Sequence, residues 1–357
     1  MHKRLKLAYA ICNYDNPLTG GELHDSRLVR GMVDFGMEPY DAWIDTLPWK
    51  ANIFRIHTIF LTKILPRADI LILDCGSTAS LPLARLSRLL KPRMPIVGLI
   101  HYLKSERPEE VEDIAYWKRA EPQIVSLFNA IVCANPFVYR QVQSLGVPAD
   151  RVHLNIGGYH PELLREKNLT RSNRLQLMFC GYVGRIKGVD VLIEALTQLD
   201  PHIPIDCHIV GSLSKEPGYA KKAIDDTISS GLESKVSFWD DLRGPALESI
   251  YAQCDVMVLP SLYEGYPLSI IEAQCQGLAV ISTSVGGIPD AVEDGISGLL
   301  VPARDPLSLA NAITKLANDP GLRRRLVEGG YKKVRSLPTW DETCREFAEI
   351  VRRIYAG

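Results

Sequence analysis

Short, mostly apolar runs alternate with longer amphipathic stretches along the whole chain. In the first half the runs are Leu5–Ile11, Ile70–Leu73, Ile96–Ile100 and Ala130–Ala134. In the second half they are Leu175–Cys180, Asp206–Val210, Val236–Trp239, Val256–Leu259, Ala279–Ser282 and Gly298–Val301. Continuous apolar runs of this length predict strands buried on both faces. Between them the period is helical, as over Val189–Leu199, where Val189, Leu192, Ile193 and Leu196 share one face. Strand-helix-strand alternation predicts parallel sheets covered by helices. The runs are too many for one doubly wound sheet, and the pattern restarts near residue 175. The expectation is an α/β chain with two Rossmann-like, doubly wound domains whose switch points face each other across a cleft.

The polar, aperiodic stretch Pro161–Asn173 reads as a linker. It divides the chain into 1–165, 166–338 and a terminal helical segment 339–357, with Pro338 before that helix and Thr339 or Asp341 available to cap it. A length of 357 residues suits two domains. The 41 basic and 42 acidic residues give a formal charge of -1, which excludes a polybasic nucleic-acid binder as the default. No apolar run approaches the roughly 20 residues of a membrane span. The opening Met1–Arg4 and Leu5–Cys12 imitate a signal peptide only faintly, because Lys6 interrupts the run and no small-residue cleavage site follows. Eight cysteines, scattered singly with no C-x-x-C pair, read as small buried hydrophobes and point to a reducing cytoplasm.

The most informative segment is Pro260-Ser261-Leu262-Tyr263-Glu264-Gly265-Tyr266-Pro267-Leu268-Ser269-Ile270-Ile271-Glu272-Ala273, directly after the run Val256–Leu259. Pro267 suits the first turn of a helix that stops near Gly277. Such a helix start offers backbone N–H groups near Leu268, Ser269 and Ile270 to an anion, and its dipole adds to them. Glu264 stands just before the helix and Glu272 a turn inside it. Two carboxylates around an anion site need separate polar partners, and sugar or ribose hydroxyls would serve.

Ser261–Ala273 resembles the Glu-x7-Glu motif of the retaining nucleotide-sugar glycosyltransferases of family 4, which have the two-Rossmann GT-B architecture. The resemblance implies that Glu264 contacts donor-sugar hydroxyls and Glu272 the ribose, while Gly265, Tyr266, Pro267, Leu268, Ser269 and Ile270 supply the diphosphate cradle. Lys187, in Lys187-Gly188 after Gly181, falls at the family's phosphate-binding Lys, a fitting point charge. Tyr182 occupies the position of the family's Arg, and Arg185 stands three residues later as a substitute. Gly20 and Gly21, after the first strand, permit close backbone approach to a ligand. His101 matches a His near the family's reacting sugar. Gly286–Asp290 matches a turn that supports the donor pocket, and Gly211 lies where the nucleotide base is accommodated. Trp340–Tyr355 resembles the terminal helix that crosses back to the first domain. The match is best over 175–305.

No two aspartates stand two residues apart, so the D-x-D pair of metal-clamped donors is missing and no divalent ion or other cofactor is expected. Lys187, Arg185 and the helix start would neutralise the leaving diphosphate instead. The resemblance implies front-face transfer with retention to a carbohydrate, lipid-linked or small-molecule hydroxyl acceptor. The rival readings are a GT-B-like sugar-nucleotide epimerase or hydrolase, a glycosidase using Glu264 and Glu272, and a non-catalytic nucleotide-sugar binder. A nicotinamide oxidoreductase is disfavoured, because no G-x-G-x-x-G follows the first strand. The basic run Arg85, Arg88, Lys91 and Arg93, with the mixed stretch Ile53–Leu65, allows peripheral contact with the inner membrane face, although a solvated helix face is the simpler account.

Overall fold

The structure is a computed structural model that describes residues 4–10, 20–41, 60–75, 80–107, 113–165 and 174–357. Ile11, Thr19, the first part of the Ile53–Leu65 stretch and the linker beyond Arg165 lie outside the described residues. The chain divides into Met1–Gly158 with Pro338–Gly357, unit 1, and Tyr159–Leu337, unit 2. Residues at the start of the polar stretch are held to unit 2: the Arg165 amide donates to Cys275 O at 2.9 Å, and the Tyr331 hydroxyl donates to Arg165 O.

Unit 1 carries a six-stranded parallel sheet of β1 (Leu5–Ala10), β2 (Met37–Asp41), β3 (Ile70–Asp74), β4 (Ile96–Ile100), β5 (Ala130–Cys133) and β6 (Val152–Leu154), in the order β2-β1-β3-β4-β5-β6. The apolar runs are continuous because both faces are covered. Leu71, Leu73, Ile96, Ile100, Ile131 and Cys133 pack on one side with Phe60, Trp117 and Phe128. Ile70, Ile72, Val97, Leu99 and Val132 alternate to the other side, against Leu28, Met32, Phe347 and Val351. The last two belong to the terminal helix Trp340–Ala356. Thr339 caps that helix in a reciprocal box with Glu342. Side-chain bonds fix it in unit 1, Asn155 Nδ2 to Thr343 O at 3.1 Å and Thr343 Oγ1 to Ile156 O at 2.9 Å.

Unit 2 has β7 (Leu175–Cys180), β8 (Ile205–Val210), β9 (Val236–Trp239), β10 (Val256–Leu259), β11 (Ala279–Thr283) and β12 (Leu299–Val301), all parallel, in the order β12-β11-β10-β7-β8-β9. Every position of β10 and β11 is buried.

Two strands were absent from the sequence reading, β2 and β6, and both are edges of the first sheet. Edge strands need no continuous apolar run. Pro39, which lacks an amide donor, is tolerated in β2 for the same reason. The basic run lies on and after the helix Ser80–Leu90, and three of its side chains are committed to the protein. Arg88 bonds Leu127 O and Asn129 Oδ1, Lys91 bonds Pro66 O and Ala68 O, and Arg85 bonds Gln123 Oε1. Among the described residues, no helix is long and apolar enough to cross a membrane.

Candidate functional site

In unit 2 the first strand, β7, lies between β8 and β10, so the connections leaving β7 and β10 turn away in opposite directions. Crevices at such switch points, beyond the carboxyl ends of the strands, receive ligands in open α/β sheets. The two loops that meet there are 181–188 and 260–267. The first tightens into the single turn Arg185–Lys187 and ends at Gly188, whose φ of 69° is left-handed. A Cβ at Gly188 would also run into the carbonyl of Pro260. The Leu262 amide donates to Ile186 O at 2.7 Å, stitching the loops together.

The stitch brings Lys187 Nζ within 2.5 Å of Glu264 Oε1. The same oxygen accepts from Ser261 Oγ at 2.8 Å. Glu264 is buried and Lys187 is mostly covered, so each charge needs the other to offset lost hydration. The backbone of Glu264 is clamped by Gly287, whose amide donates to Glu264 O at 2.9 Å. Thr283 Oγ1 donates to Ser261 O at 2.6 Å. The Gly286-Gly287 turn therefore supports the loop that carries Glu264.

The helix after this loop runs Leu268–Cys275, with Pro267 as its N-cap residue. The Leu268 amide is taken by Tyr266 O and the Ile270 amide by Pro267 O, in tight local turns. Within Gly265–Ile270 the amides of Gly265, Tyr266 and Ser269 make no backbone bond to the described residues. All three lie within the Gly265–Ile270 stretch that the resemblance assigns to the diphosphate. The Tyr266 hydroxyl is buried without a partner, and burial, with Asp290 adding, pushes its pKa up. Glu272 sits in the first turns of the helix and is felt at the end of β7. Burial, with Glu272 next, pushes the Cys180 thiol up to about 12.

Gly211 follows β8, and a Cβ there would run into Gly181 O. Tyr182 is buried beside it, with Lys187 Nζ 5.5 Å and Lys215 Nζ 4.8 Å from its ring centroid. Arg185 is exposed, and its amide donates to Glu216 Oε2 at 3.2 Å. The structure therefore gathers Gly181, Tyr182, Lys187, Gly211, Glu264 and the helix start. Lys215 and Glu216, which the sequence reading passed over, join them because Lys-Glu-Pro precedes the helix Pro217–Ser229 at the same sheet edge.

In unit 1 the helix Gly20–Met32 begins at the glycine pair itself. A Cβ on Gly21 would lie 3.5 Å from His101 Cγ, ordinary packing distance. His101 follows β4, and its Nε2 lies 2.7 Å from Asp25 Oδ1, one helical turn beyond Gly21. His24 is buried with neither ring nitrogen bonded, although its Nδ1 comes within 3.6 Å of Asp25 Oδ1. Burial raises the Asp25 pKa, but the attraction of His101, its hydrogen bond and the nearby His24 ring together outweigh it and hold the carboxyl below its usual range. Burial pushes His24 down and prevails over Asp25. The donor atoms of His24, Asp25 and His101 lie within 4.8 Å of one another, close enough to hold a metal ion. The hydrogen bond between Asp25 and His101 already satisfies two of the three. Asp25 had no signal in the linear sequence beyond its four-residue spacing from Gly21.

A doubly wound parallel sheet in each unit, with basic, acidic and amide groups converging at the switch point of the second, is the make-up of a GT-B glycosyltransferase fold. Residues 174–319 match the family described as "Glycosyl transferases group 1", which makes that part of the chain similar to glycosyltransferases of this type. A D-inositol 3-phosphate glycosyltransferase of Corynebacterium diphtheriae is 33% identical over 277 residues, covering 72% of this chain and 65% of that protein. One from Salinispora tropica is 32% identical over 181 residues, covering 48% of this chain and 37% of that protein. The chain thus spans about a third to two thirds of the length of these relatives. Among solved structures, sucrose-phosphate synthase from Thermosynechococcus elongatus superposes with a TM-score of 0.80 at 19% identity, covering 99% of this chain and 100% of that one. Anabaena HepE in complex with UDP-glucose also gives 0.80, at 18% identity, over 98% and 100%.

Proposed function

We propose that this chain transfers a glycosyl group from a nucleoside-diphosphate sugar to a hydroxyl acceptor, with retention of anomeric configuration and without a divalent ion. The observation that carries the reading is the meeting of Lys187 and Glu264 at the switch point of unit 2, beside the open amides of Gly265, Tyr266 and Ser269. An ammonium and a row of amides suit a diphosphate. A buried carboxylate beside them suits sugar hydroxyls, which donate to it as Ser261 already does. The similar Anabaena HepE, solved in complex with UDP and with UDP-glucose, favours a donor of that class.

In this reading Lys187, with Arg185 at the rim, neutralises the leaving diphosphate, and Glu272 takes the ribose. Gly181, Tyr182 and Gly211 flank the nucleotide. His101, oriented by Asp25, serves the reacting sugar, and the Gly20-Gly21 helix start lies beside it. The C1–O bond to the diphosphate breaks as the acceptor oxygen bonds C1 on the same face, and the acceptor proton passes to the leaving phosphate oxygen. No protein nucleophile is required. The acceptor class is a carbohydrate, glycolipid or other glycoconjugate hydroxyl.

The test is release of nucleoside diphosphate from UDP-, GDP- and ADP-sugars across an acceptor panel, with excess EDTA, followed by NMR of the product's anomeric centre. Acceptor-dependent release, untouched by EDTA and giving a retained linkage, is the expected result. Donor hydrolysis or epimerisation without an acceptor, or an inverted product, would overturn it.

A further inference from the structure

The loop after β8 is pinned at four points. The Val183 amide donates to Ser212 O at 2.9 Å, and the Leu213 amide donates to Asp240 Oδ1 at 3.1 Å. The Ser214 amide donates to Ser212 Oγ at 3.3 Å, and Glu216 Oε2 accepts the Arg185 amide. Lys215 sits between the last two of these anchors. A surface lysine on a free loop would spread over many rotamers. This one is presented from a fixed backbone, with its ammonium 4.8 Å from the centroid of a buried tyrosine ring. The opposite loop places Lys187 Nζ near the same ring, at 5.5 Å. Two ammonium groups drawn to one aromatic ring repel each other, and cation–π attraction at a partly exposed site is worth only about 0.5–1 kcal/mol. An anion with more than one charge would turn that repulsion into a shared attraction.

From this convergence we infer that Lys215 is a second cationic contact for the diphosphate, with Tyr182 as the platform that sets its ammonium beside Lys187. The inference rests on the donor reading above and adds a residue to it. Glu216 is the positioning residue, because its bond to Arg185 ties the Lys215 loop to the Lys187 turn. The division of labour is specific. Lys187 comes from the loop after β7 and is bonded to Glu264, and Lys215 comes from the loop after β8, where its charge contributes to capture of the phosphate portion and not of the nucleoside.

Calorimetric titration with UDP, GDP and ADP, and with the matching nucleosides, tests this on wild type, Lys187→Ala, Lys215→Ala and Lys215→Arg, with folding checked by circular dichroism. Lys215→Ala is expected to weaken the best nucleoside diphosphate by about five- to twentyfold, to leave the nucleoside unchanged, and to be restored within about twofold by Lys215→Arg. Unchanged diphosphate affinity in Lys215→Ala, with loss in Lys187→Ala, overturns the role of Lys215 and leaves the donor reading standing. Equal weakening of nucleoside and diphosphate shows a structural or base-side role and also overturns it. Failure of the wild type to bind any of the three diphosphates sinks the donor reading, and this inference with it.

Discussion

The two units build the same kind of frame and finish it differently. Each has six parallel strands among the described residues, with a switch beside its first strand. In unit 2 the loops at the switch are stitched backbone to backbone and present an ammonium, a carboxylate and open amides. In unit 1 the polar centre is an imidazole–carboxylate pair set between β4 and the first helix, and one face of the sheet is closed by a helix from the far end of the chain. A doubly wound sheet fixes where chemistry can happen, and the residues in a few loops fix which chemistry it is. The closure of unit 1 also shows that its stability depends on chain contributed from beyond unit 2.

The largest expected effect breaks that closure. Phe347 is fully buried against Leu28, Met32 and the sheet, so Phe347→Ala should cost unit 1 about 3–5 kcal/mol in denaturant titrations. Loss of less than about 1 kcal/mol would mean that the terminal helix is dispensable. Next come Lys187→Ala and Glu264→Ala, each expected to lower transfer at least tenfold, ~1.4 kcal/mol of barrier. Near wild-type rates in both, with folding confirmed, would move the chemistry away from unit 2. Thr339→Ala removes the cap of the terminal helix and should cost about 1 kcal/mol, read by the same denaturant method.

The smallest effect sharpens the polar centre of unit 1. Because burial lowers the His24 pKa, the folded protein binds fewer protons there than the unfolded chain. Stability from this group is intact above the unfolded value of about 6.5 and drains away as pH falls through it. His24→Leu should therefore flatten the fall in Tm between pH 7 and pH 5 by a few degrees. An unchanged slope would show that His24 is protonated without cost.

Much of the frame was legible in the linear pattern. Strands buried on both faces are apolar at most positions, so β4, β5, β10 and β11 announced themselves. The edges β2 and β6 did not, since one side of an edge strand needs neither apolar residues nor amide donors. Glu264, Lys187 and the helix start were readable because they follow strands at short, fixed spacing. Asp25 and Lys215 were not, because an isolated acid or base in a helix or loop carries no periodic signal. The partners of Asp25 and of Tyr182 come from residues 76 and 33 positions away.

The amino-acid sequence by itself determined the two α/β sheets, the strand-to-loop positions where polar residues gather, and the glycines that let loops touch. Local spacing and burial on both faces are enough to specify these. Tertiary structure alone decided that Lys187 bonds Glu264, that Asp25 holds His101, and that the last helix completes the first core. Each of those outcomes depends on which distant segments the strand order makes neighbours, and strand order is settled by packing the whole chain at once.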